Sequence, residues 1–217
     1  NNEGWDWFEG LLENVATHSG DSYFDFKWNA NGVETQTQAY LTTYTVDRAL
    51  DWIGNQQQPF FCFVAFNAPH DPYHVPPAGL YSVDLSSAGP PVVDNRPYYK
   101  AATEAMDAEI GRLLAGISDQ LASTYVIFLG DNGTPGPVVV QPFSTGKGKG
   151  TPFEGGNHVP LIVRTPVIPA PVSAAGGRVL AQGITDPSGS ECQALINGTD
   201  LFRTIAELYQ IDIEQAF

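Results

Sequence analysis

Residues 125–129 read YVIFL and run straight into Gly130-Asp131-Asn132-Gly133. An unbroken apolar run of strand length predicts a strand buried on both faces. Two similar runs stand on either side of it in the chain. Residues 59–66 read PFFCFVAF, and residues 159–164 read VPLIVR, whose Pro160 is confined to a strand start or an edge. Residues 193–196 form a fourth candidate. Between the runs the apolar period changes to that of a helix. Thr45 can cap a helix in which Val46, Ala49, Leu50 and Ile53 share one face, ended by Gly54-Asn55. Pro97 suits the first turn of a second helix, with Tyr99, Ala102, Met106, Ile110, Leu113 and Ile117 as its inner stripe. A third, capped by Thr199 or Asp200, turns Leu201, Ile205 and Leu208 inward. Apolar strands alternating with amphipathic helices predict an α/β fold, a mostly parallel sheet sandwiched by helices. In such sheets the polar groups beyond strand ends gather in one crevice. That rule selects His70, Asp131-Asn132 and the loop preceding residue 159.

Composition narrows the partners. Acidic residues outnumber basic ones 24 to 10, for a net charge of -14, a field that repels nucleic acid and anionic membrane surfaces. No apolar stretch approaches the roughly 20 residues needed to span a bilayer. Cys62 sits within an apolar run and Cys192 in a polar loop, and neither has the spacing of a zinc site. The spacing leaves open whether they pair, and nothing in it sets an oligomeric state.

Three groups carry the chemistry. Asp131 and Asn132 are hard oxygen donors side by side, suited to Ca2+ or Mg2+, with Gly133 turning the backbone away. The competing reading is a tight hairpin turn, for which Asn-Gly is a preferred pair. His70 is flanked by Pro69 and Pro72, which hold the chain extended and would aim the imidazole as a general acid; a hydrogen-bonded loop histidine is the plainer alternative. His74 follows four residues on, but Pro72 and Pro76 break the helix that paired zinc ligands would need. Residues 146–151, GKGKGT, hold two of the four lysines, Lys147 and Lys149, in a glycine-rich loop. Their ammonium groups would neutralise an oxyanion of a bound substrate, against the alternative of a solvated loop. Glu154 reads as a hydrogen-bonding brace for that loop.

Taken together these segments resemble the type I sulfatases of the alkaline phosphatase superfamily. Residues 59–77, PFFCFVAFNAPHDPYHVPP, are similar to the family's strand ending in A-P-H-x-P. Residues 99–114, YKAATEAMDAEIGRLL, are similar to its E-x-M-D-x-x-I-G-R helix. YVIFLGDNG resembles the strand leading to the metal-binding D-N-G, and residues 149–166 resemble the K-G-x-x-x-E-G-G-x-R-V-P-L-I-V segment. Residues 199–211, TDLFRTIAELYQI, resemble the D-L-x-P-T-x-x-x-L helix. The resemblance implies an alkaline phosphatase-like fold, with Asp131 and Asn132 as two ligands of a divalent cation, usually calcium. It places Lys149 on the sulfate and the bridging oxygen, and His70 beside the leaving group. It implies hydrolysis of a small-molecule or carbohydrate sulfate monoester by a formylglycine nucleophile, in an exported protein.

Residues 1–217 depart from the family pattern in ways that set further expectations. No C/S-x-P-x-R segment is present, so the formylglycine is expected from a segment outside this chain. The N-terminal aspartate pair and the C-terminal antiparallel subdomain are also missing. The chain is therefore expected to be a single partial catalytic domain, incomplete at both ends and inactive alone. His158 stands where the family usually has Arg, and Arg203 where it usually has Pro. A phosphonate or phosphodiester hydrolase of the same superfamily, and a non-catalytic module keeping the fold, are the alternatives. Asn197-Gly198-Thr199 is a glycosylation sequon if the source is eukaryotic.

Overall fold

The computed structural model describes residues 4–15, 22–57, 59–166 and 196–213. The chain divides into two compact units, residues 1–166 and residues 167–217.

The first unit begins with a three-stranded antiparallel sheet: β1 (Glu9–Gly10), β2 (Phe26–Ala30) and β3 (Val33–Thr37), in that order. Asn31 and Gly32 form the β2–β3 turn with φ of 48° and 93°, the left-handed pair that matches the twist of a two-residue hairpin. The Asn31 side chain accepts from the Phe8 N–H at 3.0 Å, and its own N–H donates to the Phe8 carbonyl at 2.9 Å, tying β1 to the hairpin. Phe26 and Trp28 alternate onto the inner face of β2, where both meet Tyr44 edge-on. Glu9 secures the edge. It accepts from Arg48 at 2.6 and 2.7 Å and from the indoles of Trp7 and Trp28. Burial raises its pKa, but these donors outweigh burial and hold the carboxylate below its usual range.

Tyr44 belongs to α1 (Leu41–Gly54), which packs on α2 (Asn95–Gly116). The cap expected at Thr45 is five residues late, Tyr40 being the observed one. The Tyr23 carbonyl takes the Leu41 N–H at 2.8 Å, and Thr45 lies inside the helix with its hydroxyl on the Leu41 carbonyl. The inner stripe of α2 is also rotated from the expected one. Its buried residues are Tyr98, Ala101, Ala102, Ala105 and Glu109, three of them alanines. Glu109, 3% exposed, accepts from Thr43 at 2.7 Å and from Arg112 at 2.6 Å, and Arg112 also reaches Asp47. This charged cluster fixes the pitch of α2 against α1.

β4 (Val126–Leu129) pairs with β5 (Leu161–Arg164), Val126 opposite Arg164 and Leu129 opposite Leu161. The pairing is antiparallel. The mostly parallel sheet expected from the sequence does not form among the described residues, where both ladders are small and antiparallel. The chain leaving β4 folds back on itself, so that its next strand runs the other way. Residues 59–66 are extended but have no ladder partner there. Phe61 and Phe63, 44% and 69% exposed, stack on Trp5 instead.

In the second unit, α4 (Gly198–Leu208) starts one or two residues before the expected caps. Asn197 accepts from the Thr199 N–H while Asp200 accepts from the Asn197 N–H, a reciprocal capping box. Ala206 is its buried residue, and Arg203 pairs with Glu207 at 2.8 Å. Residues 193–195 of the fourth candidate strand, and Cys192, lie outside the described residues.

Candidate active site

Antiparallel pairing brings the exit of β4 beside the entrance of β5. Beyond the last ladder pair the backbones stay in register: the Gly130 N–H donates to the Pro160 carbonyl at 3.0 Å, and the Gly133 N–H to the Gly156 carbonyl at 3.1 Å. The Lys149 N–H then donates to the Thr134 carbonyl at 2.8 Å. Asp131 and Asn132 are thus held beside the loop that carries Lys147 and Lys149.

Glycines make this contact feasible. A Cβ on Gly133 would run into the Gly155 carbonyl and lie 2.5 Å from the Gly156 Cα. One on Gly148 would strike the Thr134 carbonyl, one on Gly155 the Lys147 carbonyl, and one on Gly156 the Thr151 carbonyl. Backbone therefore packs on backbone. Asn132-Gly133 is not a left-handed hairpin turn, since neither residue has positive φ, and the chain continues through Pro135 into a short 3-10 turn at Gly136–Val138. The role of Gly133 is close approach, rather than the turning freedom expected of it.

The side chains that result are exposed. Asn132 donates to the Asp131 carboxylate at 2.5 Å, which leaves the amide oxygen and the second carboxylate oxygen for a ligand. Lys147 lies over the Phe153 ring at 4.8 Å. No carboxylate pairs with Lys147 or Lys149 among the described residues. Glu154 opens α3 (Glu154–Asn157) and its side chain is exposed. It orders the loop through its carbonyl, which accepts from the His158 N–H at 2.7 Å, and not through the carboxylate as expected.

His70 is assembled separately. Its carbonyl accepts from the buried Tyr23 hydroxyl at 2.9 Å, and its N–H donates to Asn67. Nδ1 faces the Asp71 carbonyl at 2.7 Å and the Asp71 carboxylate at 3.0 Å. Both are acceptors, so Nδ1 carries the hydrogen and Nε2 accepts from the Asn14 amide at 3.3 Å. Asn14 also bonds Asn67. Sequence reasoning missed Asn14, which has no motif of its own.

Tyr73, close after His70 in sequence, meets the Tyr99 ring of α2 edge-on at 6.2 Å. Burial pushes the Tyr99 phenol up. His74 is a core residue: it stacks on Tyr23 at 4.0 Å and hydrogen-bonds the Pro72 carbonyl and the Tyr40 hydroxyl.

The sulfatase family profile matches residues 1–211. The chain belongs to the sulfatase family. It is 26% identical over 170 residues to the uncharacterized sulfatase YdeN of Escherichia coli, covering 75% of this chain and 29% of that protein. It is 29% identical to the N-acetylgalactosamine-6-sulfatase of Canis lupus familiaris, over 79% of this chain and 29% of the relative. Among solved structures, Ps i-CgsB in complex with k-i-k-neocarrahexaose shares the fold at a TM-score of 0.63 and 24% identity, over 77% of this chain and 41% of the other. This sulfatase chain thus spans less than half the length of each of these three proteins.

The divalent cation implied for a sulfatase takes six to eight oxygen ligands if it is calcium. Asp131 and Asn132 are exposed, adjacent and of the right chemistry, so they fit as part of such a shell. No group of three or more His, Cys, Asp or Glu side chains able to hold a metal stands among the described residues.

Proposed function

We propose that the protein to which this sulfatase chain contributes hydrolyses a sulfate monoester, with a carbohydrate as the alcohol. The observation that carries this reading is the backbone apposition of the Lys149 loop with the Asp131-Asn132-Gly133 segment, with no acidic partner of Lys149 among the described residues. Asp131 and Asn132 would hold the divalent cation, which when bound draws charge from the sulfuryl oxygens. A formylglycine supplied from outside this chain would provide the nucleophile.

The remaining tasks fall to this chain. Lys149 stabilises negative charge on the sulfuryl group and on the bridging oxygen as the S–O bond breaks. Lys147, in the same loop, adds positive potential for binding the ester. His70, its ring oriented by Asp71 through Nδ1, gives up the Asn14 contact at Nε2 on protonation and donates that proton from Nε2 to the departing alkoxide. The carbohydrate reading is supported by the name of the N-acetylgalactosamine-6-sulfatase relative and by the neocarrahexaose bound to Ps i-CgsB. Export belongs to the same proposal. No described helix is long and apolar enough to cross a membrane.

The test uses the complete protein. Release of sulfate from N-acetylgalactosamine-6-sulfate and from 4-methylumbelliferyl sulfate, lost on Lys149→Ala, is the expected outcome. Faster turnover of a phosphodiester than of either sulfate would overturn the reaction class, and no turnover of any ester would leave a binding module.

A further inference from the structure

Beside the lysine loop lies a cleft of about 300 Å³, lined by Arg96, Val139, Val140, Gln141, Phe143, Ser144 and Thr145. We propose that this cleft is a second subsite of the same enzyme, one that holds a sugar ring carrying an additional anionic group, with Arg96 reading the charge. The inference rests on the sulfatase reading and adds the substrate class: a carbohydrate with two anionic groups, one of them not cleaved.

Position argues for it first. Both walls of the cleft continue into the candidate active site. Arg96 lies on α2 three residues before Tyr99, on the same helix face, and the Tyr99 ring meets that of Tyr73. The opposite wall, residues 141–145, runs into the short turn Thr145–Lys147 and then Lys149. Arg96 ties α2 to this segment through the Val139 carbonyl at 2.8 Å, and Gly136 packs on the same wall, where a Cβ would come within 3.1 Å of the Thr145 carbonyl. A ligand anchored at Lys149 has the cleft as its neighbouring volume.

Charge argues next. In a chain of net charge -14, most arginines on the described surface are spent: Arg48 on Glu9 and Asp51, Arg112 on Glu109 and Asp47, Arg203 on Glu207. Arg96 has no acidic partner among the described residues. One of its N–H groups donates to the Val139 carbonyl at 2.8 Å, which aims the guanidinium, and the rest of its donor fork remains open to an anion. Arg96, Lys147 and Lys149 are thus three cations with no acidic partner among the described residues of an acidic molecule.

Shape and chemistry argue last. The volume sits at the small end of ligand sites. Gln141, Ser144 and Thr145 supply directional partners for hydroxyl groups. Phe143 lines the cleft as an apolar surface and is backed by Gly155, at whose Cβ position its ring lies 3.1 Å away.

The test compares the complete protein with Arg96→Ala and Arg96→Gln on three probes: a disaccharide with two sulfates, a disaccharide with one sulfate and a uronate, and a neutral disaccharide with one sulfate. The readout is the ratio of kcat/KM on each doubly anionic probe to that on the neutral one. Both variants are expected to lower the ratio by about tenfold, mainly through KM, the loss of one charge-assisted hydrogen bond. The probe that shows the larger fall identifies the second anion as sulfate or carboxylate. Lys100→Ala, a control at a lysine paired with Glu104 at 3.7 Å, should not move the ratio. An unchanged ratio in Arg96→Ala overturns the proposal. So does retention of the ratio by Arg96→Gln, which can still bond the Val139 carbonyl and lacks only the charge. Calorimetric binding of the disulfated probe separates the two readings. Arg96-dependent binding without hydrolysis upholds the cleft and sinks the sulfatase activity, while hydrolysis without Arg96 dependence does the reverse.

Discussion

The Lys149 backbone N–H bonds the Thr134 carbonyl at 2.8 Å, three residues beyond Asp131. That single bond couples the cationic loop to the pair of oxygen donors, and it is made between main chains. The apposition therefore depends on what glycine leaves out and is indifferent to the flanking side chains.

Gly133→Ala is accordingly expected to be among the most harmful single changes in the first unit. Its Cβ would meet the Gly155 carbonyl and the Gly156 Cα, neither of which can rotate aside. A loss of at least about 2 kcal/mol in chemical denaturation is expected, typical of overpacking against a rigid neighbour. Gly146→Ala, where a Cβ meets nothing within 4 Å, should cost little by the same measurement.

Lys149 and Lys147 should separate kinetically in the complete protein. Lys149→Ala is expected to lower kcat by roughly 10²–10³, the scale of losing one preorganised charge donor. Lys147, stacked on Phe153, should act mainly on KM. Equal kcat losses in the two variants would contradict the roles assigned.

Chelation of divalent cations should abolish turnover by the complete protein. Asp131 is exposed, so Asp131→Asn should leave the melting temperature of the cation-free protein unchanged while raising the Ca2+ needed for half-maximal activity at least about tenfold. Calcium titration of activity checks both outcomes.

Glu109 and Arg112 form a cluster with Thr43 and Asp47 between α1 and α2. Arg112→Ala leaves the Glu109 carboxylate buried without its cation. Because the arginine itself is 39% exposed, the cost is set at about 2–3 kcal/mol, below that of breaking a fully buried pair. Arg112→Ala combined with Glu109→Gln should recover part of it in denaturant titrations.

Burial holds the His74 imidazole below its ordinary value, with the Pro72 carbonyl opposing. The unfolded chain then binds the proton more readily, so folding stability is fully present above about pH 6.5 and falls as pH drops through it. His74→Phe should flatten that part of the profile in denaturation at pH 7.5 and pH 5.5. A wild-type profile equally flat would exclude the histidine as the source.

Much of this arrangement was legible in the sequence, because strand runs and motif loops are local signals. β4, β5 and the two loops at their ends stand where YVIFLGDNG and KGTPFEGGNHVPLIVR put them. The direction of pairing was not legible, since an apolar run reads alike in parallel and antiparallel neighbours. Asn-Gly was weighed as a hairpin signal at Asn132, yet the hairpin forms at Asn31-Gly32, where strand-forming residues flank the pair on both sides. Asn14 lies 56 positions before His70, and no periodicity connects them. The rotation of α2 escaped for a similar reason: alanines carry little hydrophobic signal, and the buried tyrosine, Tyr98, is held through its hydroxyl by the distant Gly89 carbonyl.

The ladder from Val126–Arg164 to Leu129–Leu161 clamps both feet of the excursion that runs between β4 and β5. Anchored in this way, the interior of the excursion can be rewritten or resized while the groups at its base keep their places. On the proposed reading, selectivity and reactivity would then be separately evolvable, and grafting residues 137–145 from another family member would be a direct route to changing which ester is recognised.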